Sequence, residues 1–193
     1  MPPANPPKGR TDQPTSPLTL TKLQQTFPEA IREIIRFLDE VTVVVDRGAV
    51  VDVCTLLRDD PDLAFNYMCD LCAVDMWPEQ PRFEVNIQLL AMTPRPQPGE
   101  GTRRLRVKIR LEEEHAQMPT LSGVWPSANW YERETHDLFG IKFEGHPDLR
   151  PLLLPDDWDE PPPLRRDVPV HVEEVAFSFN QARIYRDKPF ARE

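Results

Sequence analysis

Glycine is scarce in this chain. Only 7 of its 193 residues are glycine, and they stand singly at turns instead of clustering. A Gly-rich loop that cradles phosphates is therefore missing, and with it an evident seat for NADH or FMN. No G-x-S-x-G elbow is present, which removes the hydrolases built around that turn. Apolar runs are short, none approaching the roughly 20 residues a membrane-spanning helix needs. The first residues show neither the apolar core of a secretory signal nor the Arg-rich pattern of a mitochondrial presequence, so a cytosolic chain is expected. A formal net charge of −9 disfavours nucleic acid or an anionic membrane surface as the main partner.

Metal-ligating residues are also few. The 3 cysteines are Cys54, Cys69 and Cys72, and the last two form a C-x-x-C pair. Asp70 between them and Asp75 just beyond oppose the thiolate that redox chemistry requires. A zinc or iron–sulfur site wants four ligands, and no second pair exists. Small thiols buried in the core are the expected role. Glu132 and His136 lie four apart, with His146 as a third donor, but Arg133 would sit beside any ion and no HExxH spacing supports a metal. Glu132 and Glu134, two apart, point to different helix faces and do not make an acid–base pair.

What the chain does contain suits one α+β domain with tails. Residues 1–17 are Pro-rich and read as a disordered or extended N-terminal arm. Residues 18–145 form the core domain, and 146–193 a Pro-rich C-terminal strap. Thr26 and Glu29 resemble a capping box, and Ile31, Ile34, Ile35 and Leu38 recur at helical spacing, so a helix is expected over 27–39. Val41–Val45 and Ala49–Val53 read as a hairpin about the turn Asp46–Gly48, followed by a short helix from Cys54 that Pro61 limits. A further short helix is expected within 62–74. Phe83, Val85, Ile87 and Leu89 alternate with polar residues, as do Leu105, Val107, Ile109 and Leu111, which predicts two antiparallel strands joined by a long loop from Met92 to Thr102. The basic row Arg104, Arg106, Lys108 and Arg110 lacks interleaved aromatics and reads as a solvated or cross-strand-paired face. The whole is a mostly antiparallel sheet of about four strands, covered by helices on one face. Val175, Phe177 and Phe179 near the end resemble an edge strand.

The most informative stretch is Trp130 to Leu154, WYERETHDLFGIKFEGHPDLRPLLL. It reads as a helix capped by the Ser127 hydroxyl and stopped at Gly140, with Trp130, Glu134 and Asp137 on one side and Tyr131, Leu138 and Phe139 on an apolar edge. A short strand over Ile141–Phe143 and a turn at Gly145, His146 and Pro147 follow. ERETHDLFGIKFEGHPDLR, then LLLPDDW and PLRRD, resemble the signature of the thirty-kilodalton subunit of respiratory complex I, the C subunit of NADH–quinone oxidoreductase. The resemblance rests on Glu132, Arg133, Glu134, Asp137, Phe139, Gly140, His146, Pro147, Asp148, Leu149 and Arg150. His136 stands where that family usually has an aromatic, and Pro151 where it usually has a second arginine.

The resemblance implies a non-catalytic scaffold in the peripheral arm of a proton-translocating enzyme, on the cytoplasmic side of the cell membrane. Electrons would pass from NADH through FMN and iron–sulfur centres to quinone in other subunits, with no catalytic, metal or cofactor residue in this chain. The D, B and I subunits are the implied partners. Glu132, Arg133, Glu134, Asp137, Phe139, Gly140, His146, Pro147, Asp148, Arg150, Arg165, Arg166 and Asp167 are the candidate interface, since guanidinium–carboxylate pairs fix register between surfaces. The same charges could equally satisfy one another and staple strap to helix. Competing readings are the equivalent subunit of a membrane-bound hydrogenase or ferredoxin–plastoquinone dehydrogenase, a thiol-redox domain using Cys69 and Cys72, and a free adaptor.

Overall fold

The computed structural model describes residues 17–38, 40–92 and 103–168, with Arg186. Helix α1 (Pro17–Thr26) leads into strands β1 (Ile31–Phe37) and β2 (Glu40–Val45), helix α2 (Val50–Asp59) and strands β3 (Tyr67–Asp75), β4 (Phe83–Ala91) and β5 (Arg103–Leu111). A short strand β6 (Gln117–Pro119), helix α3 (Ala128–Phe139) and strand β7 (Lys142–Glu144) complete the elements. The five long strands form one mixed sheet in the order β1-β2-β5-β4-β3, in which only β2 and β5 run parallel; β6 and β7 make a separate parallel pair. This is an α+β fold with a mostly antiparallel sheet, as the alternating segments predicted.

β4 and β5 pair along their full length, Phe83 opposite Leu111 and Ala91 opposite Arg103. Their inward side chains, Phe83, Val85, Ile87, Leu89, Leu105, Val107, Ile109 and Leu111, are buried in a core shared with α1 and α2. The outward row is paired across strands: Arg106 with Glu40, Lys108 with Glu84, and Arg110 with both Glu33 and Glu84. The expected loop from Met92 to Thr102, the N-terminal arm and the Val175–Phe179 cluster fall almost entirely outside the described residues.

Three expectations fail, each through competing periodicity. Residues 31–37 are the edge strand β1, not part of a helix over 27–39, and Thr26 closes α1 instead of opening a helix. Ile34 pairs with Val43 on the core side while Ile35 pairs with Thr42 on the outer side, so the two never shared a stripe. β-branched residues at a sheet edge gain more from the ladder than from a helix whose polar face would lie against it. Residues 49–53 are not a strand. Val50, Val53, Cys54 and Leu57 form the buried stripe of α2, which runs through the boundary placed at Cys54. Residues 67–75 are strand β3 instead of a helix. A bulge between Met68 and Asp70 inserts one residue and makes Met68 and Leu71 face the core three apart, which imitates a helical step.

The thiols divide by face. Cys54 is buried, but Cys69 is half-buried at the bulge and Cys72 is exposed on the outer face, so the expectation of core thiols holds only for Cys54. Burial raises the pKa of all three, and Asp70 adds to the rise at Cys69 and Cys72.

Candidate functional site

α3 lies along β3, the sheet's otherwise open edge. The Tyr131 hydroxyl donates to the Cys69 carbonyl at 2.9 Å, which occupies an edge acceptor at the bulge. Ser127 stands at the N-cap position in a helical conformation and makes no side-chain cap, contrary to expectation. A preceding turn does the work instead, with the amides of Ala128 and Trp130 donating to Trp125 and Ser127 carbonyls. At the other end Gly140 adopts φ +74°, and its amide donates to the His136 carbonyl. A Cβ there would also stand 2.7 Å from Arg165 Nη2 and 2.9 Å from Pro162, so glycine is required by both backbone and packing.

The inward face of this helix is polar. Glu132 is 0% exposed. One of its oxygens accepts the Leu121 amide at 2.6 Å and the other accepts the Thr120 hydroxyl. His146 Nε2 is 3.8 Å from that second oxygen. Its ring is oriented by other partners, because Nδ1 accepts the Asp148 amide at 3.1 Å and Nε2 donates to the Asn129 carbonyl at 3.2 Å. Burial pushes the Glu132 carboxyl up to about 7, against the downward pull of its two hydrogen bonds.

The outward face receives the strap. Arg133 donates from Nε to the Arg150 carbonyl and from Nη2 to the Pro151 carbonyl, both at 2.9 Å. One oxygen of Asp137 accepts the amides of Leu152, Leu153 and Leu154 at 2.7, 2.8 and 3.3 Å. Asp148 and Arg150 form a two-pronged pair, which holds the Asp148 carboxyl at about 2. Further along, the Leu164 amide donates to the Leu138 carbonyl and Arg165 Nε to the Phe139 carbonyl, capping α3. The strap's end is tied by the Arg166 amide on Asp75 at 2.9 Å and by Asp167 on Arg82.

Arg82 is the residue that sequence reasoning missed. It is 1% exposed and gathers Asp75, Asp167 and Glu113. Asp75 is pushed up by burial but held at about 2 by the guanidinium and by the amides of Arg166 and Trp77. The only sequence signal was a lone arginine opening an apolar strand directly after Pro81.

Most of the thirteen candidate residues thus meet inside the chain. Phe139 packs against the core. Glu134 is exposed with no ion pair among the described residues, Pro147 is exposed, and the Arg150 side chain is 80% exposed. Trp130, 59% exposed, lies under the Arg133 guanidinium at 5.3 Å. Glu132, His136 and His146 do not converge as ligands: His136 Nδ1 meets the Ile141 carbonyl, and no group of three metal donors occurs among the described residues.

A sequence model of the family described as "Respiratory-chain NADH dehydrogenase, 30 Kd subunit" matches residues 43–174. The chain belongs to that family. A relative from Roseiflexus sp. (strain RS-1), named as the C subunit of an NADH-quinone oxidoreductase, is 47% identical over 174 residues, covering 90% of this chain and 95% of the relative. Another of the same name, from Roseiflexus castenholzii, is 44% identical and covers 92% and 98%. Among solved structures, the trypsin-resistant fragment (1-134) of Nqo5 superposes with a TM-score of 0.53 at 32% identity, over 68% of this chain and 99% of the fragment. A chain of an archaeal membrane-bound sulfane sulfur reductase shares the fold, with a TM-score of 0.61 at 23% identity over 88% and 89% of the two chains.

Proposed function

We propose that this chain is a structural subunit of the peripheral arm of a proton-translocating NADH–quinone oxidoreductase and carries no catalytic residue itself. FMN, iron–sulfur clusters and quinone are held by other subunits, and the D, B and I subunits are its neighbours. It lies on the cytoplasmic side of the membrane. In this reading it is attached through the assembly; among its described residues no helix is long and apolar enough to cross a bilayer. One observation carries the reading: the family signature folds into a helix and strap whose polar groups are bonded to each other's backbone, leaving Trp130, Glu134, Arg150 and Leu153 outward. Such a surface is rigid before it meets a partner, and little ordering entropy remains to be lost on docking.

The charges then have two levels. Arg133, Asp137, His146, Asp148 and Arg165 shape the strap; Arg166 and Asp167 tie its end to the core through Asp75 and Arg82, and Glu132 holds α3 to Thr120 and Leu121. Glu134, Arg150 and the exposed ring of Trp130 remain for the partner, with Phe139, Gly140 and Pro147 setting the chain's path. The test is Arg150→Ala in the native organism, with assembly followed by native gel electrophoresis. Loss of the assembled enzyme with an unchanged melting temperature of the purified chain supports the reading. Normal assembly with a lowered melting temperature overturns the interface role.

A further inference from the structure

The tip between β1 and β2 carries two costs that the fold does not explain. Phe37 is 71% exposed and its neighbour Leu38 is 88% exposed, side by side at the end of β1, an outer strand of the sheet among the described residues. Leu38 also adopts φ +51°, a left-handed conformation that leucine resists and glycine or asparagine takes readily. A turn closing the Phe37–Glu40 pair needs neither a large apolar side chain nor leucine at that position. Backbone strain and wasted apolar surface in one place point to use.

The surroundings continue the feature. Register places Leu90 opposite Arg104 and Tyr67 opposite Leu90, so the strand ends run on from the tip across the outer face. A recess of about 330 Å³ lies among them, bordered by Glu40, Cys69, Leu90 and Arg104, and Tyr67 and Met92 are exposed nearby. A knob beside a hollow is a shape that fixes one docking register. Arg36, next to the knob, is exposed and makes no salt bridge among the described residues.

Resting on the subunit reading above, we propose that Phe37 and Leu38 form an anchor that enters an apolar pocket, rimmed by a carboxylate facing Arg36, on a neighbouring subunit of the same oxidoreductase. A second copy fits worse. Tip-to-tip pairing would oppose two Arg36 cations and two convex surfaces. Tip-into-recess pairing would be head-to-tail and would not close.

The variants Leu38→Asn and Phe37→Ser test this in the intact enzyme, purified from native membranes, alongside the purified full chain. Asparagine tolerates the left-handed turn and removes an exposed apolar group, so Leu38→Asn leaves the melting temperature of the chain equal or raised. Retention of the same variant in the enzyme through a salt wash falls at least about tenfold, as expected when a central apolar anchor is removed. Opposite signs in the two measurements are what a purely structural role cannot give. Wild-type retention of both variants overturns the proposal while leaving the subunit reading intact. So does a wild-type dimer that Leu38→Asn converts to monomer, which makes the occupant a second copy. So does liposome flotation that the variant abolishes, which makes it lipid. Absence of the wild-type chain from the enzyme overturns the subunit reading and the anchor with it.

Discussion

Glu132 gives the sharpest test of how the signature helix is held. It is fully buried, and its oxygens take the Leu121 amide and the Thr120 hydroxyl. His146 Nε2 stands 3.8 Å away, and its ring proton is committed to the Asn129 carbonyl. The carboxyl therefore keeps its proton up to about 7, against an ordinary value of 4.5. Between those values the folded chain holds a proton that the unfolded chain has released. The stabilisation is complete below the unfolded value and is lost as pH rises through the folded one. At about 1.4 kcal/mol per pH unit, that window is worth about 3 kcal/mol, a large part of a domain's usual margin. Glu132→Gln copies the neutral acid and cannot ionise. Urea unfolding of both proteins at about pH 4 and about pH 8 isolates the effect, because every other titration cancels in the difference. The variant should match wild type within a few tenths of a kcal/mol at the low pH and exceed it by about 3 kcal/mol at the high one. If the two pH profiles superimpose, or if the variant is the weaker at high pH, the carboxylate is ionised in the fold and the reasoning fails.

Arg82→Met should lower stability by about 3–5 kcal/mol, because it strands Asp75 in the interior without its cation. Thermal unfolding measures this, and proteolysis near residues 164–168 should quicken as Asp167 and Arg166 lose their anchor. In wild type the contribution of Asp75 is present above about pH 4 and is lost as pH falls through about 2; Asp75→Asn should flatten that acid limb. Asp137→Ala removes the shared acceptor of three strap amides and should cost about 1–3 kcal/mol. Its signature is early cleavage within residues 150–155, with hydrogen exchange at Leu152 and Leu153 rising before any change in the sheet. Iodoacetamide should label Cys72 first and Cys54 only on unfolding, with none reacting faster than an ordinary thiol.

The sequence disclosed the strands whose two faces differ in polarity and hid those where a bulge or an edge disturbed the alternation. β4 and β5 were legible because nine successive pairs keep one register. β3 and β1 were not, since each carries a register shift. The end of α3 was legible, because Gly140 is the kind of residue a helix terminus demands, whereas Ser127 was a plausible cap that a backbone turn displaced. Within the site, residue types were visible and partners were not. Nothing in the spacing of Asp75, Arg82, Glu113 and Asp167 marks them as one cluster, since the fold brings together residues up to 92 positions apart.

The polarity of the signature follows from the strap it holds. A segment interrupted by Pro147, Pro151 and Pro155 lacks amides that a helix or ladder would use, yet its remaining carbonyls and amides need partners where they meet the protein. α3 supplies them from side chains. Arg133 and Asp137 are one helical turn apart, about 6 Å along the axis. Two residues of extended chain cover about 7 Å, so the same pair of side chains reads two successive stretches of strap, carbonyls at 150–151 and amides at 152–154. The donor meets acceptors and the acceptor meets donors. Reversing the two residues would set guanidinium against amides and carboxylate against carbonyls. The double exchange Arg133→Asp with Asp137→Arg, which preserves composition and net charge, should therefore release the strap as completely as deleting both. A strap held by overall charge alone would survive it.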